Sequence, residues 1–341
     1  MGKLKNRQWL LKSRPKGQVA THNFDYHETE IDPDQIDEGN FLIENQAFLC
    51  APTMRNWMDP PSKNLYPSIS IGTPILAPAV GKIIESNNEQ FPIGSRVSTL
   101  SSWQDYEQID PSGRPVNFVP EELSYIESIG KFGLNSLTGY FGLTKVGLPK
   151  AGETVVISAA AGATGSLAAQ VAKIFGCRTI GIAGGREKCA WLSREINLDG
   201  VLDYKVDDLN KGFAQLCPNG IDVYFDNVGG VMLRNAVNHM AKFGRIVLCG
   251  QISTYDSDQA ASGPEDLMRL IYGSIRMEGF LTRNYTTEFP EAIKQLREWE
   301  KEGSLRLKED IRTGFDNLPK SYLDLFTGQN KGTLVVNIRP D

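Results

Sequence analysis

After residue 150 the chain settles into a rhythm that few folds can satisfy. Six short apolar runs, TVVIS, CRTIGIAG, GVLDY, IDVYFDNVG, GRIVLCG and IRMEGFL, alternate with segments long enough for helices. Strands separated by that much chain pair in parallel, because a parallel connection must cross back over the sheet whereas an antiparallel one needs only a tight turn. The pattern predicts a parallel α/β sheet for this half. At 341 residues the chain also exceeds the roughly 250–300 residues that one core can hold, so a second domain is expected.

The first half has a different character. From about residue 20 to 125, runs such as GNFLIENQAFL, VGKIIES, GSRVSTL and DYEQID are separated by the turn signals NNEQFPIG and DPSGRP, which predicts a mainly β domain. Residues 51–74, APTMRNWMDPPSKNLYPSISIGTP, are rich in Pro and Ser yet carry Met54, Arg55, Trp57 and Tyr66. A loop of that length is functional or disordered, and the interleaved aromatics favour an ordered loop on the substrate side, with Arg55 and Tyr66 as candidate contacts. The last strand, KGTLVVNI, departs from the strand–helix rhythm and is expected to return to the first domain.

Within the second half, TVVISAAAGATGS runs straight into the small-residue helix LAAQVAKIFG. Set against the dinucleotide fingerprint G-x-G-x-x-G, the turn reads Ala160-Ala161-Gly162-Ala163-Thr164-Gly165, with alanine at the first glycine. Such a string alone could be a plain strand-to-helix turn. A strand before it, a helix after it and a second strand ending about twenty residues on make it a nucleotide site. Gly162 would let backbone approach a pyrophosphate, Gly165 would let helix and strand pack closely, and the amides of Ala163 and Thr164 would face the phosphates. Ala160 in the first position requires that the turn avoid positive φ.

A site for NAD places Asp or Glu at the end of the second strand to hold the ribose hydroxyls. Here Gly184 and Gly185 stand there, followed by Arg186 and Lys188, so the expected cofactor is NADPH with its 2′-phosphate. Asn227 in YFDNVGG and the Cys249–Tyr255 segment, Ser253 included, fall at strand carboxyl ends, where an open parallel sheet holds its ligand.

Charge and cysteine usage exclude other classes. Hydrophobic residues at 40% and charged residues at 23% suit a soluble globular chain, and a net charge of −5 offers no footprint for nucleic acid or an anionic membrane. The five cysteines are odd in number and scattered, without C-x-x-C spacing, which predicts a reducing cytoplasmic setting and no disulfide framework. Near the N-terminus the longest apolar run is WLL, too short for a signal core or a membrane span, and Asn6 stands where myristoylation prefers Ser or Thr.

Over most of its length the sequence resembles the zinc-independent medium-chain dehydrogenases/reductases that include oxoprostaglandin reductases, alkenal double-bond reductases and curcumin reductase. The matches run in order: NRQWLLKSRPKG, SSWQDY, GLNSLTGYFGL, AAAGATGS, DYK, FDNVGG, GRIVLCGQISTY, RMEGF and GQNKGT. The resemblance implies a GroES-like, mainly β catalytic domain, residues 1–125 and 303–341, and a Rossmann NADP-binding domain with a doubly wound parallel sheet, residues 126–302. It implies that Lys188 and Tyr204 contact the 2′-phosphate, that Asn227 lies along the cofactor, that Asn330 approaches the nicotinamide, and that Tyr255 stands beside the substrate carbonyl. Members commonly carry Tyr before the Met-Arg pair of the first-domain loop; here Thr53 precedes Met54-Arg55, which alters the substrate side.

Zinc dehydrogenases need Cys and His ligands in the catalytic domain. That part offers Cys50, His22 and His27, with no Gly-His-Glu motif and no cysteine cluster, so no metal is expected; His239 reads as a helix-end histidine. Without zinc an unactivated alcohol is hard to oxidise, whereas a conjugated enone accepts reduction at its β-carbon because charge moves onto the carbonyl oxygen. The expected activity is NADPH-dependent reduction of the double bond of an α,β-unsaturated ketone or aldehyde, with Tyr255 stabilising the enolate. The alternatives are an NADPH-dependent quinone reductase and a non-catalytic NADPH-binding protein. SDQAASG after Tyr255 is a candidate mobile cover, and the IRMEGFL strand is a candidate edge for a homodimer.

Overall fold

A computed structural model describes residues 2–61, 67–255, 263, 264 and 266–340. Tyr66 and the SDQAASG segment up to Ser262 lie outside the described residues. The chain divides into two units, Met1–Gly133 with Glu309–Asp341, and Leu134–Lys308.

The first unit opens with β1 (Leu4–Leu11), paired antiparallel with β2 (Phe24–Ile31) so that Leu4 faces Ile31 and Leu11 faces Phe24. The larger sheet is built on β3 (Phe41–Leu49), whose run FLIENQAFL is buried over most of its length. It continues through β4 (Leu76–Ser86), β5 (Arg96–Ser102), β6 (Tyr106–Ile109) and β7 (Val116–Phe118). Phe41, Ile43, Ile83, Val97 and Ile109 share one core cluster on this sheet.

The second unit is the parallel sheet that the strand–helix rhythm predicts. Its strands are β8 (Thr154–Ile157), β9 (Arg178–Ala183), β10 (Gly200–Asp203), β11 (Ile221–Asp226), β12 (Met240–Leu248) and β13 (Arg276–Gly279). They lie in the order β10-β9-β8-β11-β12-β13, every neighbouring pair parallel. Helices cover both faces of such a sheet, which is why β8 is buried at all its positions and reads as an unbroken apolar run. The order of connection reverses between β8 and β11, so the turns after Ile157 and Asp226 flank the crevice where doubly wound sheets bind ligands.

The chain then returns to the first unit with β14 (Glu309–Thr313) and β15 (Thr333–Asn337). β15 pairs antiparallel with β3 and parallel with β14, giving the sheet order β14-β15-β3-β4-β5-β7, with β6 on β3. A mainly β unit and a doubly wound α/β unit are thus both present. Among the described residues no helix is long and apolar enough to cross a membrane.

Candidate functional site

The turn after β8 is tightly packed at one glycine and less crowded at the other. A Cβ on Gly165 would lie 2.3 Å from the Ala159 carbonyl oxygen and 3.0 Å from Ala160 Cα, so only glycine lets the helix Ala163–Ile174 start this near the turn. At Gly162, the residue before that helix, a Cβ would meet only the Ala159 oxygen, at 3.2 Å. No side chain caps the helix and no acidic residue sits in its first turn, so the amides of Ala163, Thr164 and Gly165 face outward as a ready anion site. One expectation needs correcting: the turn does use a positive φ. It falls at Ala159 (φ 49°), one residue before Ala160, in a conformation that costs a non-glycine residue about 1–2 kcal/mol.

A buried carboxylate joins this turn to the one after β11. Asp226, 1% exposed, accepts from Ser158 Oγ at 3.0 Å and from the amides of Val228 (3.1 Å) and Gly229 (3.0 Å to each oxygen). Burial raises its pKa above the usual carboxylate value, and those hydrogen bonds offset part of the rise. Asn227 donates through Nδ2 to the Ser158 carbonyl at 2.7 Å, and its amide donates to Ser158 Oγ at 2.8 Å. Its side chain therefore spans the two turns at the switch point.

The segment after β12 is laid over the same place. Cys249 and Gly250 donate their amides to the Asp226 carbonyl (2.9 and 3.1 Å), and Ser253 donates Oγ to the Val228 carbonyl at 2.6 Å. Burial pushes the Cys249 thiol up to about 12, which favours its neutral form. Tyr255 ends the 3-10 turn Ile252–Thr254, and its phenol oxygen accepts from the Gln251 amide at 3.4 Å. The structure thus brings Gly162, Gly165, Asn227, Cys249, Ser253 and Tyr255 onto three adjoining turns at the carboxyl edge of the sheet.

At the end of β9 the glycine pair has a physical reason. A Cβ on Gly184 would sit 2.6 Å from Tyr204 Cε1, so the aromatic ring occupies the space where a carboxylate side chain would begin. Gly185 (φ 93°) precedes the helix Arg186–Arg194, and Asp203 Oδ1 accepts from both the Gly185 amide (2.9 Å) and the Lys205 amide (3.1 Å), fastening the two turns side by side. Lys188 is half-buried, and burial first, then the positive charge of Lys205, pulls its ammonium below the ordinary lysine value. Arg186 is exposed. Sequence reasoning missed Lys205; its signal was the DYK string, where Tyr204 drew attention away from its neighbour.

In the first unit the predicted residues divide differently. Thr53 is half-buried at the start of the helical turn Met54–Trp57 and makes no capping bond through its side chain. Arg55 is 3% exposed, with its guanidinium bonded to the carbonyls of Gly17 and Pro15 and to Asp59, so it braces the loop instead of projecting from it. Asn330 is partly buried and donates Nδ2 to the Gly332 carbonyl at 2.9 Å. SSWQDY is structural: Arg7 grips Asp105 through Nε (2.8 Å) and Nη2 (2.9 Å), Asn6 and Gln8 both bond Gln104, and Trp103 is fully buried.

Among the described residues no group of three or more His, Cys, Asp or Glu is arranged to hold a metal ion. His239 follows the helix Gly230–Asn238, with Nε2 3.2 Å from Asn210 Oδ1 and its ring against Phe213, as a helix-end histidine should.

Two family descriptions match the sequence: "N-terminal domain of oxidoreductase" over residues 7–115 and "Zinc-binding dehydrogenase" over residues 163–298. The NADPH-dependent curcumin reductase of Escherichia coli is 33% identical over 99% of this chain and 99% of its own. The NADP(+)-dependent 2-alkenal reductase of Nicotiana tabacum is 33% identical over 98% of this chain and 97% of its own. Among solved structures, CurA from Vibrio vulnificus in complex with NADPH superposes with a TM-score of 0.89 at 32% identity, covering 98% of this chain and all of the other.

Proposed function

Because this chain belongs to the zinc-independent medium-chain dehydrogenase/reductase family, we propose that it uses NADPH to reduce the carbon–carbon double bond of α,β-unsaturated ketones and aldehydes. It is an NADP-dependent oxidoreductase. The observation that carries the substrate class is end-to-end similarity to a curcumin reductase and to a 2-alkenal reductase, the second named for an α,β-unsaturated aldehyde.

NADPH suits the residues present. The uncapped helix start and the open side of Gly162 would hold the pyrophosphate, and Lys188, Lys205 and Tyr204 would hold the 2′-phosphate at the place where Gly184 excludes a carboxylate. When bound, NADPH would supply a hydride to the β-carbon of the enone, and a proton from solvent would complete the reduction at the α-carbon.

Chain residues then have four tasks. Asn227 and Asp226 keep the two switch-point turns in register. Tyr255 is our candidate donor to the carbonyl oxygen, where charge accumulates as the double bond is reduced. The Gln251 amide donates to the Tyr255 oxygen, a bond that strengthens the phenol as a donor in its turn. Asn330 is our candidate for orienting the nicotinamide amide, and Thr53, smaller than the tyrosine common at this position, for leaving more room on the substrate side.

If Tyr255 stabilises the enolate, Tyr255→Phe lowers kcat by about a hundredfold to a thousandfold, the ~2.7–4 kcal/mol typical of an oxyanion donor, with NADPH affinity unchanged. Undiminished turnover under conditions where chemistry limits the rate removes Tyr255 from that role.

We also propose that the enzyme is a homodimer formed at β13. This strand is the last of its sheet, and Leu267, Met268, Ile271, Tyr272 and Leu281 around it are exposed, with Tyr272 at 78%.

A further inference from the structure

The two lysines expected at the 2′-phosphate stand on different pieces of chain. Lys188 lies in the first turn of the helix Arg186–Arg194 after β9, and Lys205 in the turn after β10. The parallel ladder joining those strands ends at Ala183 and Asp203, with one more bond from the Tyr204 amide to the Ala183 carbonyl (3.1 Å). Past that point each turn has backbone bonds of its own. The Cys189 amide donates to the Gly185 carbonyl (3.1 Å) in one, and the amides of Val206 and Asp207 donate to the Asp203 carbonyl (3.0 and 2.8 Å) in the other. These bonds shape each turn separately and do not set the spacing between them.

The half-buried Asp203 carboxylate bridges them. Its Oδ1 accepts from the Gly185 amide at 2.9 Å and from the Lys205 amide at 3.1 Å, so one atom holds both the residue that opens the Lys188 helix and the residue that carries the second cation. Asp203 is steadied in turn by its own amide, which donates to Asp207 Oδ2 at 2.7 Å. Lys188 feels the positive charge of Lys205, so the two ammonium groups are neighbours, an arrangement that disfavours both charges until an anion lies between them. A carboxylate at such a place would, by its charge alone, repel a phosphate. Aiming an oxygen at two backbone amides gives it a different use.

We propose that Asp203 is a positioning residue for coenzyme selectivity: by sharing one oxygen between the Gly185 and Lys205 amides, it sets the spacing at which Lys188 and Lys205 grip the same 2′-phosphate. The inference rests on the reading that these two lysines hold the 2′-phosphate of NADPH. Asp203 acts through two backbone amides, not by touching the coenzyme, and every residue involved lies in the α/β unit. Charge and geometry make opposite demands here. If Asp203 acted by charge alone, removing it would tighten phosphate binding; as a bridge between the turns, removing it loosens phosphate binding.

Three variants separate the two effects. Asp203→Asn keeps an acceptor oxygen in place and drops the charge, Asp203→Glu keeps the charge and displaces the oxygen by one methylene, and Asp203→Ala removes both. Kd values for NADPH and NADH are read from coenzyme fluorescence, and Kd for 2′,5′-ADP from calorimetry, which needs no turnover. Asp203→Ala and Asp203→Glu are expected to raise Kd for NADPH and 2′,5′-ADP about tenfold, the size of one lost charge-assisted contact, with Kd for NADH within about twofold and Asp203→Asn within about threefold of wild type for all three. If Asp203→Ala fails to fold, the Asn and Glu variants carry the comparison. Tighter binding of 2′,5′-ADP by Asp203→Ala, a loss in Asp203→Asn equal to that in Asp203→Glu, or equal losses with NADPH and NADH overturns the proposal. Lys188→Met and Lys205→Met check its premise. If neither weakens 2′,5′-ADP binding, the phosphate reading fails and the role of Asp203 falls with it; if they weaken it and no Asp203 variant does, the role of Asp203 alone is contradicted.

Discussion

Lys188 and Arg55 were both conspicuous cations in the sequence, and the structure gives them opposite employments. Lys188 is half-buried next to a turn fastened beside that of Lys205, so its charge is disfavoured by burial and by its neighbour until an anion arrives. A 2′-phosphate offsets both effects. Charge-assisted hydrogen bonds contribute about 1.5–3 kcal/mol, so Lys188→Met should raise the KM for NADPH by about ten- to a hundredfold and leave that for NADH nearly unchanged; equal losses with both coenzymes would contradict the assignment. This reading was accessible from sequence because the missing acid and the lysine are four residues apart. Arg55 was not, because its partners Pro15 and Gly17 lie in a distant stretch that nothing in the loop announces. Lys205 was hidden by its setting, a short string in which only the tyrosine looked informative.

At the scale of elements, the glycine-spaced turn separates packing from binding. Gly165→Ala would drive a methyl to 2.3 Å from a backbone oxygen, which must move, so we expect a loss of about 1–3 kcal/mol in stability, seen as a lower Tm with or without coenzyme. Gly162→Ala meets only one atom at 3.2 Å and should leave Tm of the free enzyme nearly unchanged while weakening NADPH binding; the reverse pattern in thermal melts would contradict the assigned roles. The strand–helix alternation made all six parallel strands legible; central strands such as β8 and β11 are covered and apolar and leave the strongest signal, whereas the edge strand β13 is mostly exposed. β1 left a weak one. Half of LKNRQWLL is polar, without regular alternation, and its pairing with β2 is supported by the Arg7–Asp105 and Asn6–Gln104 contacts, which belong to a motif 98 residues away. The left-handed Ala159 had no sequence signal at all, because the usual marker of positive φ is glycine.

For the molecule as a whole, full-length similarity to NADPH-dependent reductases and the two architectures of the chain lead to one reaction, whereas the assembly state rests on the β13 edge alone. Sedimentation equilibrium should give twice the chain mass of 37.7 kDa, and Ile271→Glu with Tyr272→Glu should shift it to the single-chain value; a wild-type monomer contradicts the dimer. The reaction has a more direct test. Under anaerobic conditions, with NADPH deuterated at the transferring position and chalcone as acceptor, mass spectrometry and NMR should find one deuterium at the β-carbon of the saturated ketone, at a rate well above that with NADH. Deuterium on the carbonyl carbon of an allylic alcohol, or turnover confined to quinones, would contradict the account.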